Sequence, residues 1–200
     1  MNLFKDEKEE YIDHDFLDVN FSGLCLVKKV FEDCGFNNCD FTETIFENCK
    51  FVDCVFTNCN LSLAKLKNSS LLNVSFSTSK LVGINWAEAK WPVINISVPL
   101  DFFECILDHS SFFGLNMQGF KCYKCQAKGV DFREADLSSS DMRHTDFSEA
   151  IFASTNLSRA NFSHAYNYLI DTQINKVKEA RFTMPEVVGL LSGLDVVIVE

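Results

Sequence analysis

The chain has 200 residues, with 28 acidic against 18 basic side chains and a formal net charge of −10. That length fits one domain, or one domain with a short appendage. The charge weighs against nucleic acid as a direct partner, because phosphate binding needs clustered Lys and Arg. Plentiful Leu, Ile, Val and Phe exclude a disordered chain, and no run of 18 or more apolar residues is present to span a membrane as a helix.

Residues 1–14 are acidic and contain no apolar signal core, so a cytoplasmic protein is expected. They read as a polar cap. From Phe16 onward a large apolar residue returns every five positions, through Phe41, Phe46, Phe51 and Phe56 to Trp86, Trp91 and Ile96. Two residues before it sits a small one, as at Cys39, Thr44, Cys49 and Cys54. Period five is neither the 3.6 of a helix nor the 2 of a flat strand. A chain that turns a corner every five residues satisfies it, with two residues inward and three free to face solvent. Four such faces close a square coil of 20 residues, and coils stack by strand-like hydrogen bonds about 4.8 Å apart.

Near residue 97 the frame slips by one, and a second run continues from Phe102 and Leu107 to Leu157 and Phe162. Pro92 and Pro99 flank the slip and remove ladder donors, so residues 92–101 read as a bulge between two halves of one rod. No insertion longer than the slip near 97–101 is expected. Cys122 and Ala127 underfill the large position, which predicts irregular packing around them.

Nine cysteines without a secretion signal argue against a disulfide framework. Seven of them, including Cys34, Cys59, Cys105 and Cys125, occupy the small position, where free Cys packs as a small hydrophobe. All nine are expected to be reduced and buried. Cys122 and Cys125 form a lone C-x-x-C, a weak metal signal. His14, His109, His144 and His164 are scattered, no nucleophile elbow or phosphate loop is present, and the coil interior is filled. No enzyme activity, cofactor or metal is therefore expected.

After Phe162 the pattern fades. Thr183 or Met184 before Pro185 reads as a helix start, Val187, Val188, Leu190 and Leu191 as an apolar stripe, Gly193 as the stop, and Leu194 to Val199 as a strand. A terminal coil needs a cover, and the surplus of apolar side chains points to a homodimer through Val187, Val188, Leu190, Leu191 and Leu194. The expected organisation is a cap over 1–14, repeats over 15–165, and a capping and dimerisation segment over 166–200.

The clearest repeats are ADLSS at 135–139, TDFSE at 145–149, TNLSR at 155–159 and ANFSH at 160–164. Through this signature, A-(D/N)-(L/F)-x-x, the chain resembles the pentapeptide-repeat family over roughly residues 14–165. The resemblance implies an all-β solenoid, a right-handed quadrilateral β-helix. The Cys-rich first half, NWAEAKWP at 85–92, the slip and RFTMPEVVGLL at 181–191 are similar to the albicidin-resistance and Qnr-type proteins. That likeness implies binding to DNA gyrase and topoisomerase IV, protection of them from inhibitors, and a rod-shaped dimer whose acidic surface mimics duplex DNA. The lack of a long insertion favours the loop-poor, albicidin-resistance type. A scaffold for another partner is the alternative.

A basic DNA saddle would meet outward carboxylates. The candidates are Asp33 and Asp53, which are 20 residues apart and stack on one face, with Glu43, Glu47, Glu134 and Glu149 at other outward positions. Asp131, Asp136, Asp141 and Asp146 share one repeat position and are expected to support corner turns instead.

Overall fold

A side chain that must be buried every fifth residue forces the backbone to turn after each one. The computed structural model, which describes residues 9–91 and 100–194, does so as a right-handed quadrilateral β-helix. On the first face the strands Glu10–Ile12, Val30–Glu32, Lys50–Val52 and Ser70–Leu72 pair in parallel, each residue opposite the one 20 positions on. On the second face Phe16 pairs with Phe36, Phe36 with Phe56 and Phe56 with Phe76. The third face is a column of bridges through Asn20, Asp40, Asn60 and Lys80, and the fourth pairs Cys25–Val27 with Ile45–Glu47.

The large residues fill the interior as stacked columns. Phe21 lies 4.4 Å from Phe41 with rings nearly parallel, and Phe36 lies 4.5 Å from Phe56. Around one coil the rings meet edge to face, as Phe46 and Phe51 do at 5.2 Å and 86°. Both arrangements place ring edges and faces favourably.

The small position has a second task. Its thiol or hydroxyl donates to the carbonyl of the large residue 23 positions earlier: Thr44 to Phe21 at 2.8 Å, Cys49 to Leu26 at 3.1 Å, Thr155 to Phe132 at 2.9 Å. A small residue with a donor satisfies that carbonyl, which is why Cys, Ser and Thr recur there, although Ala64, Ala135 and Ala160 fill the same position without one. All nine cysteines are free and eight are buried. Cys25 departs from the expectation. It precedes Leu26 in a strand whose flanking residues face out, and it is exposed.

The frame shift near 97–101 is a larger event than a one-residue slip. Phe56 pairs with Phe76, 20 positions on, but Phe76 pairs with Phe102, 26 positions on. Lys90 still bonds within the regular register, through its N–H to the Ser69 carbonyl. Six extra residues therefore enter between Trp91 and Leu100. A period of five cannot distinguish one added residue from six, so the sequence pattern understated the insertion. Ile96 and the rest of 92–99 lie outside the described residues.

The expected irregularity around Cys122 and Ala127 is resolved by a size swap. Phe120 occupies a small position, is buried, and packs 5.2 Å from Phe112 and 5.5 Å from Phe102. Val130 is likewise buried at the small position after Ala127. Volume is conserved between neighbouring sites, the kind of exchange that cores tolerate.

The ladder also extends beyond both boundaries expected for it. Tyr11 is buried and stacks on Phe31. At the other end Asn161 bridges Arg181, and Phe182 stacks on Phe162 at 5.3 Å. The closing helix is present as a 3-10 helix, Glu186–Gly193, entered from Pro185. The strand expected over 194–199 falls almost wholly outside the described residues. Among the described residues no helix is long and apolar enough to cross a membrane.

Candidate partner-binding surface

The outward positions of each repeat are set by the corner. The second residue after each large one has positive φ along nearly the whole rod, from Asp13 at 50° to His164 at 61°. Asp and Asn tolerate this left-handed conformation better than most residues, so corners concentrate short polar side chains. Asp33, Glu43, Asp53, Glu134 and Glu149 all occupy such corners and are exposed. Glu47 does not. It ends the strand Ile45–Glu47 and is half-buried.

The structure brings Asp33 and Asp53 onto one corner of adjacent coils. Asp13 lies on the same corner one coil before, and Asn73 one coil after, its amide donating to Asp53. In the neighbouring column Asn38 donates in the same way to Asp18. Asp13 and Asp18 were missed at the sequence level. Their 20-residue spacing from Asp33 and Asn38 was the available signal; for Asp13 it was lost because residues 1–14 were read as a cap, and for Asp18 because its rung 20 residues on is Asn38, not a carboxylate. Glu43 and Glu47 belong to the same coil on other sides. Glu134 and Glu149 lie several coils away and join no cluster with them. Glu149 is paired with Lys128 at 3.3 Å.

The aspartates at 131, 136, 141 and 146 hold their turns. Each accepts the N–H two residues on, from Arg133, Ser138, Arg143 and Ser148, at 2.9–3.3 Å. The guanidinium of Arg133 hydrogen-bonded to Asp131, and that of Arg143 on Asp141, hold both carboxyls below the usual range. At Asp136 burial pushes the other way, but hydrogen bonds from Ser138 and Asn156 outweigh it and lower the pKa.

Other reactive groups are placed without a reactive setting. Burial raises the thiols of Cys34 and Cys49 and pushes Cys54 up to about 12. In the stacked pair Cys39 and Cys59 a thiol–thiol hydrogen bond lowers the first and raises the second, and both are buried. His144 and His164 stack at 4.8 Å on adjacent coils. Among the described residues no three His, Cys, Asp or Glu side chains converge to hold a metal, and Cys122 and Cys125 are core residues.

The apolar stripe expected at the C-terminus is divided. Leu190 packs on the core cluster, whereas Leu191 and Leu194 are exposed. Val187 and Val188 are half-buried. Met184, Leu169 and Ile174 add further exposed apolar surface near this end.

A filled solenoid of stacked square coils with columns of corner carboxylates on its outside is a β-solenoid. The chain is a member of the pentapeptide-repeat family. A family model for the pentapeptide repeat region matches residues 29–112, and one for pentapeptide repeats (8 copies) matches residues 131–166. The fold is also that of QnrB1, a plasmid-mediated fluoroquinolone resistance protein. A trypsin-treated form superposes with a TM-score of 0.72 at 15% identity, over 96% of this chain and 100% of that one. Full-length QnrB1 gives 0.54 at 16% identity, over 94% and 100%. HetL, a pentapeptide-repeat protein involved in heterocyst differentiation regulation from Nostoc sp. strain PCC 7120, gives 0.53 at 17% identity, over 86% and 84%. No curated protein sequence matches the chain.

Proposed function

We propose that this chain is a non-enzymatic cytoplasmic protein that docks on a type II DNA topoisomerase, DNA gyrase or topoisomerase IV, and protects it from an inhibitor. The observation that carries this reading is the first-half surface. Residues 9–53 hold eleven Asp and Glu against three Lys, with Asp13, Asp33 and Asp53 in one column. A rigid rod with carboxylates at the coil spacing, about 4.8 Å, offers a basic DNA saddle complementary charge without an ordering cost. The similarity to albicidin-resistance and Qnr-type proteins, and the fold shared with a fluoroquinolone resistance protein, support the same reading. The six-residue lengthening of one coil removes the ground for preferring the loop-poor, albicidin-resistance branch. The exposed Met184, Leu191 and Leu194 favour a homodimer through the C-terminal end.

A supercoiling assay with purified gyrase, with and without a fluoroquinolone or albicidin, tests the proposal. Restored supercoiling in the presence of one drug supports it. If the chain neither binds gyrase or topoisomerase IV nor alters drug action, a scaffold role with another partner takes its place. The fold shared with the regulator HetL gives that second reading its support.

A further inference from the structure

We propose that a recess over Gly35, on the second face of the acidic half, is the docking notch for one arginine side chain of the partner. The proposal rests on the topoisomerase reading only for the partner's identity. The recess is open to solvent and measures about 580 Å³. Its floor is Gly35, its apolar sides are Leu17 and Val55, and Asp15, Asp33 and Asp53 line it too. No Lys or Arg does.

Glycine is not required here by the backbone, because Gly35 is absent from the positive-φ residues that mark the corners. Its effect is on space. A Cβ at this position would lie 2.2 Å from Asp15 Oδ1, so the missing side chain lets that carboxylate fold in over the floor. Residues 15 and 55, the rungs on either side in the ladder, both carry side chains. The recess is thus a gap of one rung, and it opens beside the corner that carries Asp33 and Asp53.

The chemistry selects the occupant. Leu17 and Val55 are 64% and 47% exposed at outward strand positions beside these carboxylates. The methylene stem of a long cation covers such surface while its head stays among polar groups. Several carboxylates around one opening suit a planar, multi-donor guanidinium better than a compact ammonium.

The direct test is an NMR titration of the full chain with the peptide acetyl-Ala-Arg-Ala-amide. Saturating shifts at the amides of Leu17, Gly35 and Val55, abolished in Gly35→Val, are expected. Absent shifts there, or shifts spread evenly to the corners of Glu134 and Glu149, overturn the proposal. The second arm is affinity for gyrase. Gly35→Val fills the recess and pushes the Asp15 carboxylate aside, whereas Thr57→Lys places a competing cation at its rim; neither removes a carboxylate. Each should weaken binding roughly tenfold or more, as loss of a buried anchor does. Unchanged affinity in a folded Thr57→Lys protein also overturns it. If the unaltered chain fails to bind gyrase while the peptide still saturates the recess, the topoisomerase reading falls and the notch stands.

Discussion

Residues 9–53 present eleven acidic side chains and three Lys, while 54–91 present one Glu and four Lys. Residues 100–194 contain all six ion pairs formed between described residues, including Lys121–Asp101, Arg143–Asp141 and Arg159–Glu179. The backbone differs too. In the first half three faces widen into three-residue strands. In the second most repeats make a single bridge and then a tight turn, such as Ala135 N–H to Phe132 carbonyl. An Asp or Asn before the large residue caps that turn in many of those repeats. The same repeat thus spends its carboxylates in two ways: in the second half the aspartates before the large residue hold turns, while in the first half Asp40 does so and most of the others face solvent. Counting acidic residues along the rod would miss this, because a carboxylate already bound to an N–H or a guanidinium offers little to a partner.

The largest effect should ignore that difference, because both halves rest on one filled interior. Phe41 sits in a column of like-sized rings, and Phe120 supplies the volume missing at Cys122. Phe41→Ala and Phe120→Ala should each cost about 3–5 kcal/mol in urea unfolding, the usual range for a buried Phe. A loss under about 1 kcal/mol at Phe120 would mean the swap is not what fills the second half.

A smaller effect should separate the halves. Asp131, Asp136, Asp141 and Asp146 have folded pKa values below their ordinary values. The folded state then binds fewer protons than the unfolded one, so their contribution is complete above the unfolded value, near 3.9, and is lost as pH falls through the folded values. Hydrogen exchange followed from pH 5 down to pH 2 should show the turns at 131–149 opening before those at 21–64. Equal opening in both halves would erase the distinction. Thiol labelling should perturb least: one fast-reacting group in the native chain, Cys25, and eight more after denaturation. Two or more fast thiols would place another cysteine outside the core.

Period five was sufficient to read the solenoid, its four faces and its interior from the sequence, because burial every fifth residue admits few other paths. It was blind to multiples of itself. The six added residues before Leu100 therefore registered as one, and the repeat read as ending at Phe162 because Asn167 and Thr172 fill the next large positions with polar groups. Asp33 and Asp53 were found by their 20-residue spacing. Their partners in the cluster, Asp13 and Asp15, were not, since one was assigned to the cap and the other looked like an ordinary signature position. The recess was not legible either. It depends on how Asp15 folds over Gly35, which no linear spacing encodes.

The central claim is that the carboxylates on the outer surface of the first half, rather than acidity in general, engage the topoisomerase. Two neutral variants of equal shape separate these ideas: Asp33→Asn with Asp53→Asn and Glu47→Gln, and Glu134→Gln with Glu149→Gln. Their association rates with purified gyrase should be measured across ionic strength, where exposed charges are screened within about 8 Å at physiological salt. The account expects the first variant, folded as before, to associate several-fold more slowly at low salt and to lose most of its salt dependence. The second should stay near the unaltered chain, since Glu149 is already paired with Lys128. Equal slowing by both variants, or no slowing by the first, would contradict it.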